Sequence, residues 1–472
     1  MPQKKMLNKV CRAIEILINA ADKYEGLFPS ILDRTTFEIP GSLPKNIKGQ
    51  RNEDRAYPGN NLLHDEVLLR TMYDLSKPLG RKDYSQAADK HLKRFATHCT
   101  NTVTGLFPWG EHSFWNLAKD EIGNSFPLAY PWWTDLPFHD HLRPAPFWMW
   151  EKLYEYNPKC VERFSEGLDY HWRDGEPQEY CRHANIQIKI RPAREPRSCD
   201  FPRHGGFYIM DWSFAYTKTG RKDFLAQIHR MLDHWWEKRD ENGMLLGESK
   251  SPKELTGWYG TNSPGQTMSL AMSLLETADF LKGTHPELSA IMQERGTVYA
   301  NSFLSLPHDL EKGIYVSSAR RDTNEALSTM SIWGSSYGSG TACSPAVLCL
   351  GLYRMTNSEG LFKWAEAVGR RYLSETVPDD MVIPAVDLGM AVGLMADLYD
   401  ITGEKVWLYA GLKFARKLME IYFDGDLPRG EASIDFYDAQ MGTGFLLYGL
   451  ARIAMLSESR ENCPIGPDYT GR

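Results

Sequence analysis

Apolar residues recur along this chain at the three-to-four-residue spacing of a helix stripe, and the stripes come in pairs. Four stretches share one plan: LSKPLGRKDYSQAADKHLKRF from Leu75, AYTKTGRKDFLAQIHRMLDHWW from Ala215, LYRMTNSEGLFKWAEAVGRRYL from Leu352 and LYDITGEKVWLYAGLKFARKLM from Leu398. In each, an apolar helix stops at a Gly or Asn able to take the left-handed helix-ending conformation, and a helix with Ala and Leu on one stripe starts at once. These are αα-hairpins. The first helix of each pair is richer in small and apolar residues: Ala385, Leu388, Gly389, Val392, Gly393 and Ala396 in one, Ala271, Leu274, Leu275 and Ala278 in another. Such helices can be buried on both sides. They are expected near 62–76, 142–156, 207–218, 265–282, 343–356, 386–401 and 437–456.

Amphipathic helices alternating with nearly all-buried ones describe two concentric rings. The expected fold is therefore all-α, an (α/α)6 or (α/α)7 barrel formed by residues 1–472 as a single catalytic domain. An open helical solenoid also repeats αα-hairpins, but its repeats are more uniform than these. The polar stretches 33–61, 105–138, 173–206, 243–264 and 313–342 all precede buried helices, so a closed ring would gather them over one mouth. The N-terminus carries Ile14, Leu17, Ile18 and Ala21 at helical spacing and no apolar run long enough for a signal or a membrane span, so a cytoplasmic location is expected.

Composition narrows the partners. The net charge is −7 and the basic residues are dispersed, which excludes a nucleic-acid-binding face. Eight scattered cysteines form neither a CxxC pair nor a disulfide framework. Aromatics reach 12% of residues, with 14 Trp and 23 Tyr, several in Gly- and Pro-containing loops where a flat ligand such as a sugar ring would use them. No membrane partner is expected, and a homo-oligomer is compatible with the pattern.

The segments before the buried helices hold the chemistry. They carry His64, Asp65 and Glu66; Glu111, His112 and Trp115; His139, Asp140, His141 and Arg143; Arg203, His204, Tyr208 and Asp211; Trp258, Tyr259 and Asn262; Trp333 and Tyr337; Asp387; and Asp435 with Asp438. Glycosidic hydrolysis needs one carboxylic acid to protonate the leaving oxygen and a second carboxylate to activate water or attack. Glu111, Asp140 and Asp211 are the leading trio, since each sits among aromatic and His residues that would desolvate a carboxyl group. Asp65 and Asp387 suit helix N-caps instead. Two imidazoles and a carboxylate in His139-Asp140-His141 are metal-type ligands, but adjacent residues rarely ligate one ion. No zinc-type spacing or phosphate loop follows, so no metal and no cofactor is expected. Arg51, Arg55, Arg143, Arg182, Arg191, Arg194, Arg197 and Arg203 are concentrated in the same loops, which suits an anionic oligosaccharide whose carboxylates they would fork.

With these hairpins, the Trp-rich mouth and the acids at helix starts, the chain resembles the (α/α) toroid enzymes of polysaccharide breakdown, particularly unsaturated glucuronyl hydrolases and β-glucuronidases. The segments ADKYEGLFPSILDR, GLFPWGEHSFWNL and HDHLRPAPFWMWEKLYEYNP are also similar to bacterial proteins classed as pectate lyases. The resemblance implies a two-carboxylate glycoside hydrolase acting on uronate-containing oligosaccharides. The alternative is a polysaccharide lyase using β-elimination, with Tyr208, Tyr259, His204 and Arg203 as candidate participants; a sugar epimerase using His139, His141 and His204 is the third reading.

Overall fold

The computed structural model describes residues 2–129, 137–173, 180–191, 200–249, 260–335 and 340–472. Its helices are α1 (Pro2–Asp22), α2 (Leu62–Ser76), α3 (Lys82–Arg94), α4 (Phe126–Ala129), α5 (Phe147–Tyr156), α6 (Pro158–Gly167), α7 (Pro202–Thr219) and α8 (Lys222–Trp236). They continue as α9 (Pro264–Leu281), α10 (Pro286–Ser302), α11 (Cys343–Thr356), α12 (Glu359–Ser374), α13 (Ala385–Thr402), α14 (Lys405–Tyr422) and α15 (Thr443–Glu458).

Burial separates them into two rings. α15 buries every residue from Thr443 to Leu456, whereas α14 buries Trp407, Leu408, Ala410, Gly411, Phe414, Ala415, Leu418 and Tyr422, a single stripe. Helices α5, α7, α9, α11, α13, α15 and α2 touch in succession as an inner ring. Trp148 on α5 closes the circle by donating to Glu66 of α2 at 3.2 Å and lying edge-on to Tyr73. Each inner helix has an outer partner: α3, α6, α8, α10, α12 and α14 follow theirs in sequence, and α1 packs on α15. Among the described residues the fold is thus a seven-pair (α/α) toroid.

Two inner helices approach to backbone contact. A Cβ on Gly389 would stand 2.7 Å from the Leu446 nitrogen, so only glycine lets α13 and α15 lie so close. The four hairpin turns read from the sequence end at Gly80, Gly220, Asn357 and Gly403, all with positive φ. Three helix starts differ from expectation. α7 begins at Pro202 and not near 207, since proline is accommodated in the first turn of a helix. α5 begins at Phe147 because Pro144 and Pro146 precede it, and α15 begins at Thr443 because Phe436–Asp438 pairs as a strand with Ile31–Asp33. Capping also differs: Asn61, not Asp65, accepts the Leu63 amide at the start of α2. Asp387 accepts from the Gly334 and Ser335 amides of a neighbouring loop and not from its own helix.

The inner-to-outer turns are short and all lie at one end of the ring; the outer-to-inner loops are long and lie at the other. Small antiparallel sheets brace those long loops: Gly59–Asn60 with Ser113–Asn116 and Glu121–Asn124, Phe138–His139 with Ala184–Asn185, and Thr261–Asn262 with Val316–Arg320 and Ala326–Thr329. From the opposite end, residues 459–472 turn into the ring. Thr470 donates to Glu66 at 2.8 Å, Arg472 meets Glu276 at 2.5 Å, and Tyr469 packs on Gly351, which fills the axis. No described helix is long and apolar enough to cross a membrane.

Candidate active site

Strand register builds the centre of the site. Phe138 pairs with Asn185 and His139 with Ala184, so the next rung sets Asp140 opposite His183. Because side chains alternate across a strand, Asp140 and His183 share one face and His139 points to the other. His112 enters from the loop before Ser113–Asn116, and one ligand atom each from His112, Asp140 and His183 lie within 4.8 Å of one another. Gly110 makes this approach feasible. Its φ is +104°, a Cβ there would fall 1.9 Å from the Asp140 carbonyl oxygen, and the next amide, Glu111 N–H, donates to Asp140 Oδ1 at 2.9 Å.

Three arginines surround these groups. Arg182 reaches the Glu111 carboxylate at 3.3 Å and Arg203 at 3.8 Å, while Arg51 forks Asp54 at 2.7 and 3.0 Å. His112 bridges the acids, with Nδ1 3.4 Å from Asp54 and Nε2 3.5 Å from Glu111. Burial alone would raise Glu111, but Arg182, His112, Arg203 and Arg51 outweigh it and hold the carboxyl below the usual range. Asp140 is pushed up to about 7 by burial and by the Glu111 charge, and Asp54 to about 6, chiefly by burial. Burial, aided at His183 by Arg182, lowers His112 and His183, so both rings are neutral.

Behind this face lies a sealed wall. Asp211, far down α7, accepts from His141 at 2.8 Å and from Trp150 at 3.0 Å. His139 contacts Trp109 and His171, and Tyr208 lies 3.2 Å from His171. Glu111, Asp140, His112 and Arg203 are therefore brought together with His204, which accepts from Arg203 Nε at 3.3 Å. Asp211, His139 and His141 stand one layer back. His64 and Asp65 are fully buried in α2, where Asp65 takes a hydrogen bond from Asn60 at 2.7 Å. Trp115 donates to Asp120 on the outer side beside His98, and Arg143 lies over the Phe445 ring. Asp435 is exposed beside Arg34, and Asp438 is buried against Arg55. Trp258, Tyr259 and Tyr337 lie outside the described residues, as do Arg194 and Arg197. The sequence reading missed His183, Asp54 and His171. His183 had one signal, its place directly after an arginine in a mouth loop.

A profile of the family described as periplasmic pectate lyase matches residues 44–200, the stretch that supplies Arg51, Asp54, Glu111, His112, Asp140, Arg182 and His183. No curated protein matches the sequence. Among solved structures, a sugar epimerase from a ruminal bacterium aligns with a TM-score of 0.48 at 9% identity over 97% of this chain and 99% of its own. Unsaturated glucuronyl hydrolases from Streptococcus agalactiae (TM-score 0.46, 10% identity, 96% and 92% covered) and a Bacillus species (0.45, 11%, 94% and 96%) align similarly. The family match supports the coarser expectation, a carbohydrate-active enzyme.

Proposed function

We propose that the chain cleaves uronate-bearing polysaccharide by β-elimination, with a divalent cation held by His112, Asp140 and His183. The observation that carries this reading is the meeting of three guanidinium groups with a donor set suited to a metal. Asp140 Oδ2 and His183 Nε2 are buried and have no hydrogen-bond partner among the described residues, an expensive state that an ion would relieve. Two neutral imidazoles and a carboxylate are ordinary ligands. The sequence offered no metal spacing because the three come from three separate loops. The profile match over the same segment supports the lyase side.

Elimination moves the proton on the carbon bearing the uronate carboxyl to a base, a role the ionised Glu111 carboxylate would fill, breaks the adjacent C4–O4 bond and leaves a C4–C5 double bond, while the departing oxygen takes a proton from solvent. A bound divalent ion would add fixed positive charge opposite the carboxylate and so acidify that proton. Arg182 and Arg203, already aimed at Glu111, supply forked N–H donors for the same carboxylate. His204 accepts from Arg203 through Nε2, so its neutral ring carries the proton on Nδ1 and acts as a donor. Tyr208, raised well above the ordinary phenol value by burial, stays protonated.

One observation favours hydrolysis as the second reading: Asp140 near 7 and an ionised Glu111 are the states an acid and a base require. Incubation with polygalacturonate separates the two. Elimination gives products absorbing as conjugated alkenes with no gain of water by mass, lost on chelation and restored by one divalent ion. Products that gain water, formed equally after chelation, would establish the hydrolase.

A further inference from the structure

Two buried imidazoles, His139 and His171, lie beside the site without facing it, and they form a directed chain. Trp109 Nε1–H donates to His139 Nε2 at 2.9 Å, which places the His139 proton on Nδ1. That proton goes to His171 Nε2 at 2.8 Å, so His171 carries its own on Nδ1 and donates it to the Cys181 carbonyl at 2.6 Å. The His171 carbonyl in turn accepts the Cys181 N–H at 2.7 Å. One residue therefore holds both main-chain polar groups of Cys181. Trp109 can only donate, so no other arrangement of protons satisfies the chain. Burying two imidazoles costs more than burying two apolar rings of the same size, and the chain ends on the carbonyl just before Arg182 and His183.

We propose that His139 and His171 are positioning residues: they fix the Cys181 backbone so that Arg182 meets Glu111 and His183 meets Asp140. This rests on reading Arg182 and His183 as site residues. Partners of this kind behind a ligand typically matter by 10- to 100-fold in affinity or turnover.

The test compares His171→Asn with His171→Gln. The Asn amide nitrogen falls near the Nδ1 position and keeps the donor to Cys181; the Gln amide falls near Nε2 and loses it. Readouts are amide hydrogen exchange at residues 181–184 and calorimetric titration with Mn²⁺ alone, an ion that competes weakly for surface histidines. The Asn variant should match the native protein within about threefold, whereas the Gln variant should exchange faster and bind Mn²⁺ roughly 10- to 100-fold more weakly. His171→Leu, which removes the donor to Cys181 altogether, should behave like the Gln variant and carries the comparison if that one does not fold. Asn and Gln variants alike in exchange and affinity would overturn the proposal. If Mn²⁺ does not bind the native protein, the metal reading falls, and the exchange comparison alone decides whether the imidazoles position the segment.

Discussion

Arg203 and Arg143 carry the same charge to different parts of the ring. Arg203 reaches Glu111, whereas Arg143 lies 5.0 Å from the Phe445 ring centroid with Glu66 and Asp468 as its nearby acids. Arg203→Lys keeps the charge but loses the fork, so binding of a uronate oligosaccharide should weaken by roughly 1.5–3 kcal/mol, while Arg143→Lys should leave it unchanged. Titration calorimetry on the two variants checks this, and equal affinities would remove Arg203 from the carboxylate site. Asp140→Asn and Asp211→Asn divide the acids in the same way. The first should abolish turnover with the melting temperature held, because it changes a carboxylate of the proposed metal site. The second should lower the melting temperature, because Asp211 is the shared acceptor of His141 and Trp150. Glu111 and Asp140 were legible in sequence through their aromatic and His neighbours. His183 and Asp54 were not, because a site assembled across loops leaves no spacing to read.

At the level of the element, α2 presents Glu66 to the ring interior, where it accepts from Trp148 and Thr470. Burial, then Asp468, pushes this carboxyl from its ordinary 4.5 up to about 8, against the smaller pull of Arg70. In the unfolded chain Glu66 ionises near 4.5; in the ring it resists doing so until about 8. Its contribution to stability is thus fully present below about 4.5 and lost as pH rises through about 8. Urea unfolding should show native stability falling across that window, and Glu66→Gln, which keeps an acceptor, should flatten the fall. An unchanged pH profile in the variant would assign the dependence to other groups. The helices were the most legible part of the chain, since the contrast between stripe and all-round burial marked every inner helix from α2 to α15. The strands were not, because runs of two to five residues are too short for an alternating pattern to register.

For the whole molecule, the sequence predicted two rings and a mouth but left the number of pairs at six or seven. The seventh pair is invisible locally: α1 and α15 are partners from the far ends of the chain, and no hairpin turn joins them. That pairing bears on how the protein is made. Lys9 meets the Gly425 carbonyl at 2.8 Å across 416 residues of sequence, while the other hairpins close over turns of a few residues. Bringing such distant segments together costs roughly 5 kcal/mol of chain entropy by logarithmic loop closure, and none of it can be recovered until the last helix has left the ribosome. During synthesis the ring is therefore an open arc with an uncovered apolar edge at each end, and α1 waits longest. Pulse-labelled hydrogen exchange during refolding should show α1 and α15 gaining protection together and after α7 and α9. Until α15 arrives, the face of α1 that packs on it stays open to water.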